Sequence, residues 1–275
     1  MLAFRKHKRS PLAANSALTL RTANGAALYT FPAEVVDSMR HMATSLMYKG
    51  ALPARISMVA ALREEGVTYT TLALATTLAY DLAVRVCVVE LNWWSPGIKT
   101  QALQGMDQAP ATPRRSRRAK PKQSEVQPAE AMEADSLAAV GTAGLAAVLT
   151  GSAPLDEALV QTALPNLALL PAGDLTLAQR PAMARSDALK ACIDRLGRRF
   201  DHIMLDIPAI LATSDAIALA SLGSACCIVV RQGVTPASNV RRALDDVKHL
   251  PMLGVILNQA DTKLPRWVRA LVPQE

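Results

Sequence analysis

Along this chain, short unbroken apolar runs alternate with longer segments whose apolar positions recur every three or four residues. The first pattern predicts buried strands and the second helices. Residues 33–48 (AEVVDSMRHMATSLMY) carry the helical spacing, and Pro53 closes that region. Ile56–Ala60 predicts a strand, Val67–Val84 a helix entered from a polar turn, and Val86–Glu90 a second strand ending in an acid. Further strands are expected at Asn166–Leu170, His202–Asp206, Ala225–Val230 and Leu253–Leu257. Helices are expected at Pro181–Leu196, at Ser214–Leu222 with Ser214 as N-cap, and at Pro236–Leu250 with proline in its first turn.

Strands of continuous apolar character separated by helices signal βαβ units and a parallel sheet covered on both faces. The expected fold class is therefore α/β: a doubly wound, mostly parallel sheet with helices on both faces. In such sheets ligands bind beyond the carboxyl ends of the strands. Those ends carry Ala61–Thr68, Glu90–Pro96, Asp206–Pro208, Arg231–Thr235 and Asn258–Asp261. The expected organisation is a disordered basic arm over 1–30 and a single domain over 31–275. A disordered insertion over 107–135, with four prolines, a basic block and then an acidic block, interrupts that domain, and order resumes near Gly144.

Charge sharpens this picture. The formal net charge is +7, and it is concentrated: Arg5, Lys6, Lys8 and Arg9 near the start, then six basic residues between Arg114 and Lys122. Such tracts are either solvated or a contact for anionic lipid or an acidic partner. Nucleic acid is a weaker third option: aromatics make up only 4% of the chain, which argues against stacking platforms for RNA or single-stranded DNA. Cys87, Cys192, Cys226 and Cys227 lie in apolar runs without metal-ligand spacing and read as buried, reduced thiols. His7, His41, His202 and His249 are scattered and form no triad. No secretory signal follows the basic N-terminus, and Asp215 interrupts residues 207–230, which lack Lys and Arg, so a cytoplasmic protein is expected.

The segment FDHIMLDIPAILATSDAIALASLGSACCIVVRQGVTPASNVRRALDDVKHLPMLGVILNQAD (200–261) is the most informative. A strand ending in Asp-x-Pro is followed by Ser-Asp-Ala, an apolar strand plus Arg, and Gly-Val-Ile-Leu-Asn. With GLAAVLTGSAPLDEAL (144–159) and PNLALLPAGDL (165–175), this order resembles the bacterial tyrosine kinases of capsule and exopolysaccharide synthesis, a branch of the Min/Par-type P-loop ATPases. The resemblance covers about residues 33–106 and 140–262.

It implies a phosphate loop, G-x-x-x-x-G-K-[ST], at Ala61–Thr68. Gly66 and Thr68 fit, but Val67 stands at the lysine and Glu64 where the family usually has glycine. Losing the lysine removes a charge-assisted contact of about 1.5–3 kcal/mol. A carboxylate about 5 Å from phosphate costs roughly 3 kcal/mol at an effective dielectric of 20. Arg63 is a candidate substitute cation. The family's second acidic motif falls on Glu90 and Asn92, with Trp94 and Ser95 in place of arginines.

By the same resemblance Asp206 is the Walker B-like acid, read either as a ligand to Mg²⁺-bound water or as a turn residue before Pro208. Asn258 is either near the adenine or a strand-end turn residue. The implied site is thus Asp206 and Glu90 as catalytic residues, Gly66, Thr68, Arg63 and Asn258 for nucleotide, and Thr68 and Asp206 for metal. ATP and Mg²⁺ are the implied cofactors, weak or absent because Val67 replaces lysine.

The ring-building pattern of the family falls on Asp37, Arg40 and Ala43, so its second arginine is missing, and no tyrosine cluster ends the chain. The first expectation is a degenerate, non-catalytic regulator or scaffold of polysaccharide synthesis at the inner face of the plasma membrane. It would partner a membrane polysaccharide co-polymerase, possess the surface of a homo-oligomer, and touch anionic lipid through 114–122. The alternatives are an active tyrosine autokinase or ATPase with a divergent loop, and a Min/Par-like positioning ATPase.

Overall fold

The computed structural model describes residues 17–50, 52–98 and 144–259. The basic cluster at 5–9, the insertion 107–135 and the tract 114–122 lie outside the described residues.

A hairpin of β1 (Leu18–Arg21) and β2 (Ala27–Phe31) comes first, then α1 (Ala33–Lys49), β3 (Arg55–Ala60), α2 (Val67–Leu82) and β4 (Val86–Glu90). After residue 143 follow α3 (Gly144–Leu149), α4 (Leu155–Ala158), β5 (Val160–Gln161) and β6 (Leu167–Leu170). The chain continues through α5 (Arg180–Ala184), α6 (Asp187–Gly197), β7 (His202–Asp206), α7 (Asp215–Ala220), β8 (Ala225–Arg231), α8 (Ala237–Asp246) and β9 (Met252–Asn258). Among the described residues, seven strands form one sheet in the order β5-β6-β4-β7-β3-β8-β9, parallel except for β5. This is the expected doubly wound α/β architecture.

The central strands are apolar throughout because both faces are covered. β4, β6 and β8 bury nearly every residue. One core cluster holds Val59, Val89, Trp93, Ile193 and Cys226; the other holds Met58, Val88, Leu74, Phe31 and Cys227. Cys226 and Cys227 thus point to opposite faces, as strand alternation requires. All four cysteines are free and buried.

Three expectations are corrected. Residues 18–31 are not an arm: Leu18, Leu20, Leu28 and Phe31 are buried, and Gly25 turns the chain at φ 91°. Tyr29 and Phe31 stack at 4.9 Å and both meet Tyr69 in the first turn of α2. The amide of Ala163 also donates to the Arg21 carbonyl (2.9 Å), so the hairpin covers the β5 edge. Second, the helix expected over 181–196 is two. Ser186 is extended and its hydroxyl accepts the Leu189 amide (3.1 Å), starting α6 afresh. Third, Ser214 makes no side-chain cap; the Thr213 hydroxyl accepts the Asp215 amide instead (3.3 Å).

Candidate functional site

β3 lies between β7 and β8, so the loop that leaves it is flanked by the carboxyl ends of both. That loop and the segments after β4 and β7 line a cleft of about 180 Å³. Arg63, Glu64, Gly66, Val67 and Thr68 line one wall; Trp94, Gly97, Pro208 and Thr213 line the others. The structure thus brings together Arg63, Gly66 and Thr68, with Asp206 and Glu90 buried beneath them and Asn258 at the neighbouring strand end.

The backbone of the loop keeps the shape that glycines normally give. Gly66 is left-handed (φ 87°, ψ 30°) and caps α2. A Cβ there would lie 2.0 Å from the Asn258 Nδ2 atom, so only glycine fits. Glu64 is also left-handed, at φ 64°, which an L-residue adopts at a cost of about 1–2 kcal/mol. Its side chain is exposed, so solvent screens the repulsion of an incoming anion that burial would have strengthened. Val67 packs partly on the core face beneath α2 and presents no charge to the cleft. Arg63 is exposed at the cleft wall.

Asp206 and Glu90 sit opposite each other on neighbouring parallel strands, both fully buried. Their surroundings differ. One Glu90 oxygen accepts the amides of Gly97 (2.5 Å) and Ile98 (2.9 Å); the other accepts the Ala172 amide (2.9 Å). Glu90 thereby ties the loop after β4 to the end of β6. Neither Asp206 oxygen completes a hydrogen bond. Burial, and then the neighbouring Glu90 charge, push Asp206 up to about 8, and the nearby Thr68 hydroxyl pulls it partly back. Thr68 is itself pressed against the loop after β4: a Cβ on Gly97 would come within 2.7 Å of its hydroxyl.

As a holder of ATP and Mg²⁺, the cleft would have two unequal sides. The Thr68 hydroxyl and the unbonded Asp206 oxygens fit a hydrated divalent cation. Among the described residues no group of three or more His, Cys, Asp or Glu is placed to hold a metal, so a cation here would rest largely on water and ligand oxygens. The side that a phosphate would meet has the start of α2 and the exposed Arg63 but no lysine among its lining residues.

Two residues of the site, Glu65 and Thr235, carry no role in the reading of the sequence, and the adjacent tryptophans, read there as packing or an interface anchor, divide between the core and the cleft. Glu65, only 3% exposed, accepts the amides of Ala61 (3.0 Å) and Leu62 (3.3 Å). Thr235 donates its hydroxyl to the same carboxylate. Trp93 is buried and donates its indole N–H to the Ala172 carbonyl (2.9 Å), whereas its neighbour Trp94 lines the cleft with the Arg180 guanidinium 5.8 Å from its ring centre. Asn258 does not line the cleft; its amide donates to the Glu65 carbonyl (2.8 Å).

No family model matches the chain. The succinoglycan biosynthesis transport protein ExoP of Rhizobium meliloti is 31% identical over 122 residues, 43% of this chain and 16% of that protein. The tyrosine-protein kinase CpsD of Streptococcus pneumoniae is 27% identical over 126 residues, 45% of this chain and 55% of that one. The matches thus span about half of CpsD and under a fifth of ExoP. Among solved structures, the kinase domain of the Escherichia coli tyrosine kinase ETK superposes with a TM-score of 0.61 at 15% identity, covering 84% of this chain and 79% of that one. The septum site-determining protein MinD of Pyrococcus horikoshii, complexed with Mg-ADP, gives 0.51 at 20% identity over 79% and 76%. These likenesses establish the shared fold.

Proposed function

We propose, for a chain that belongs to the bacterial tyrosine-kinase family of P-loop ATPases, a role without phosphoryl transfer: a cytoplasmic regulator or scaffold of exopolysaccharide or capsule synthesis and export, peripheral to the inner face of the plasma membrane. The observation that carries this reading is Val67, an aliphatic side chain at the head of α2 where the family's lysine would meet phosphate. Phosphoryl transfer depends on positioning and charge neutralisation, so this change weakens turnover more than binding. Glu90 supports the reading, since its carboxylate is committed to three backbone amides.

The chain's own residues still divide the work of a nucleotide cleft. Gly66 shapes the turn, the first residues of α2 line the cleft, and Thr68 and Asp206 form the corner where Mg²⁺-bound water would be ordered. Mg²⁺ would supply charge neutralisation at the phosphates; nothing on the loop replaces the lysine except Arg63. The partner we propose is a membrane polysaccharide co-polymerase, with the basic tract 114–122 adding a contact to anionic lipid. Among the described residues no helix is long and apolar enough to cross a membrane.

Titration of labelled ATP with and without Mg²⁺ tests the reading. Binding should be no tighter than about 1 mM, a free energy near −4 kcal/mol. Micromolar, Mg²⁺-dependent binding that is lost in Asp206→Ala would overturn it.

A further inference from the structure

We propose that the Glu65 carboxylate does inside this loop what a bound anion does in others: it holds the loop folded with nothing bound. The inference deepens the non-catalytic reading above and rests on it for its consequence.

Glu65 is a carboxylate nearly sealed from solvent in a loop beside a ligand cleft. Such a group is tolerated only when its oxygens are satisfied. Here they are: one oxygen takes the Ala61 and Leu62 amides, and the other takes the Thr235 hydroxyl. Asn258 adds a fourth bond to the Glu65 backbone carbonyl (2.8 Å). One residue thus joins three segments: its own loop, the turn after β8 and the end of β9. Bonds to an ionised acceptor are shorter and stronger than neutral ones. The loop is therefore anchored to both strands beyond β3, without lysine and without phosphate.

The consequence concerns switching. A ligand shifts a conformational equilibrium only by the difference in its affinity for the two states. A loop already fixed by Glu65, Thr235 and Asn258 leaves little for a nucleotide to reorganise, so the surface around the cleft stays the same at any nucleotide concentration. A partner protein reads one constant shape.

Amide hydrogen exchange at Ala61 and Leu62, followed in the full chain by mass spectrometry, reads the latch directly. In nucleotide-free wild-type protein both amides should be protected, and added Mg²⁺-ATP should leave them unchanged. Glu65→Ala should speed both by about tenfold or more, the equivalent of one lost charge-assisted bond. Because that variant risks failing to fold, Thr235→Val is measured alongside. It removes one donor without altering shape, and should speed the same two amides several-fold although residue 235 lies far along the chain. Glu65→Gln, which keeps an accepting oxygen but not the charge, should give rates between those of wild type and Glu65→Ala. Wild-type amides that exchange at unprotected rates until nucleotide is added would overturn the proposal. So would Thr235→Val and Glu65→Gln variants that both match wild type while Glu65→Ala also does. Tight ATP binding to a loop already protected beforehand would uphold the latch while refuting the non-catalytic reading.

Discussion

Asp206 and Glu90 face one another across adjacent strands, yet one is satisfied and the other is not. Glu90 accepts three backbone amides. Asp206 completes no hydrogen bond and feels both desolvation and the Glu90 charge, which together hold it protonated to about pH 8. A folded-state value raised above the unfolded one stabilises the fold fully below the ordinary carboxylate range. That contribution is lost as pH climbs through about 8. Asp206→Asn removes the titration, and any cost of the buried amide is independent of pH. Urea unfolding at pH 5 and pH 8.5 should therefore show wild type losing more stability than the variant, by about 1 kcal/mol or more. Equal losses would show that Asp206 is ionised in the folded protein at neutral pH.

The elements that could be read from the sequence are those whose surroundings leave no choice. β3, β4, β6, β7 and β8 are buried on both faces, so their apolar runs announce them. The β1–β2 hairpin was hidden because its strands are four and five residues long and follow a basic segment, although Asn24-Gly25 is a turn signal. The candidate site divides in the same way. Gly66, Thr68 and Asp206 belong to local patterns, and the structure gathers them at one corner. Glu65 and Thr235 meet only through the packing of the β8–α8 turn on the loop after β3, and no local pattern encodes a contact across 170 positions. The hairpin also makes a prediction at this scale. Phe31 is 1% exposed and its ring packs against Tyr69 at 5.6 Å between centroids. Phe31→Ala should destabilise the protein by about 3–5 kcal/mol in chemical denaturation. It should also loosen the start of α2, seen as faster amide exchange over its first turn. A loss below about 1 kcal/mol would show that the hairpin is an appendage and not part of the core.

For the molecule as a whole, the proposed reading is a nucleotide cradle that two side chains silence, and the backbone is compatible with it. Gly66 keeps its left-handed turn, Thr68 and Asp206 keep their corner, and Glu64 holds a left-handed backbone that glycine adopts without strain. Repairing the loop should then require chemistry alone and no rebuilding of the fold. Glu64→Gly relieves local strain of about 1 kcal/mol, partly offset by the extra freedom glycine gives the unfolded chain. Val67→Lys places a cation at the head of α2 and restores about 1.5–3 kcal/mol of contact with phosphate. Together they should tighten Mg²⁺-ATP binding by about tenfold to a thousandfold over the starting protein, with each single change giving less. Adding Asp206→Ala to the repaired protein should abolish the dependence on Mg²⁺ without unfolding it, as circular dichroism would verify. A repaired loop that still fails to bind ATP would mean that the cleft has lost more than its lysine.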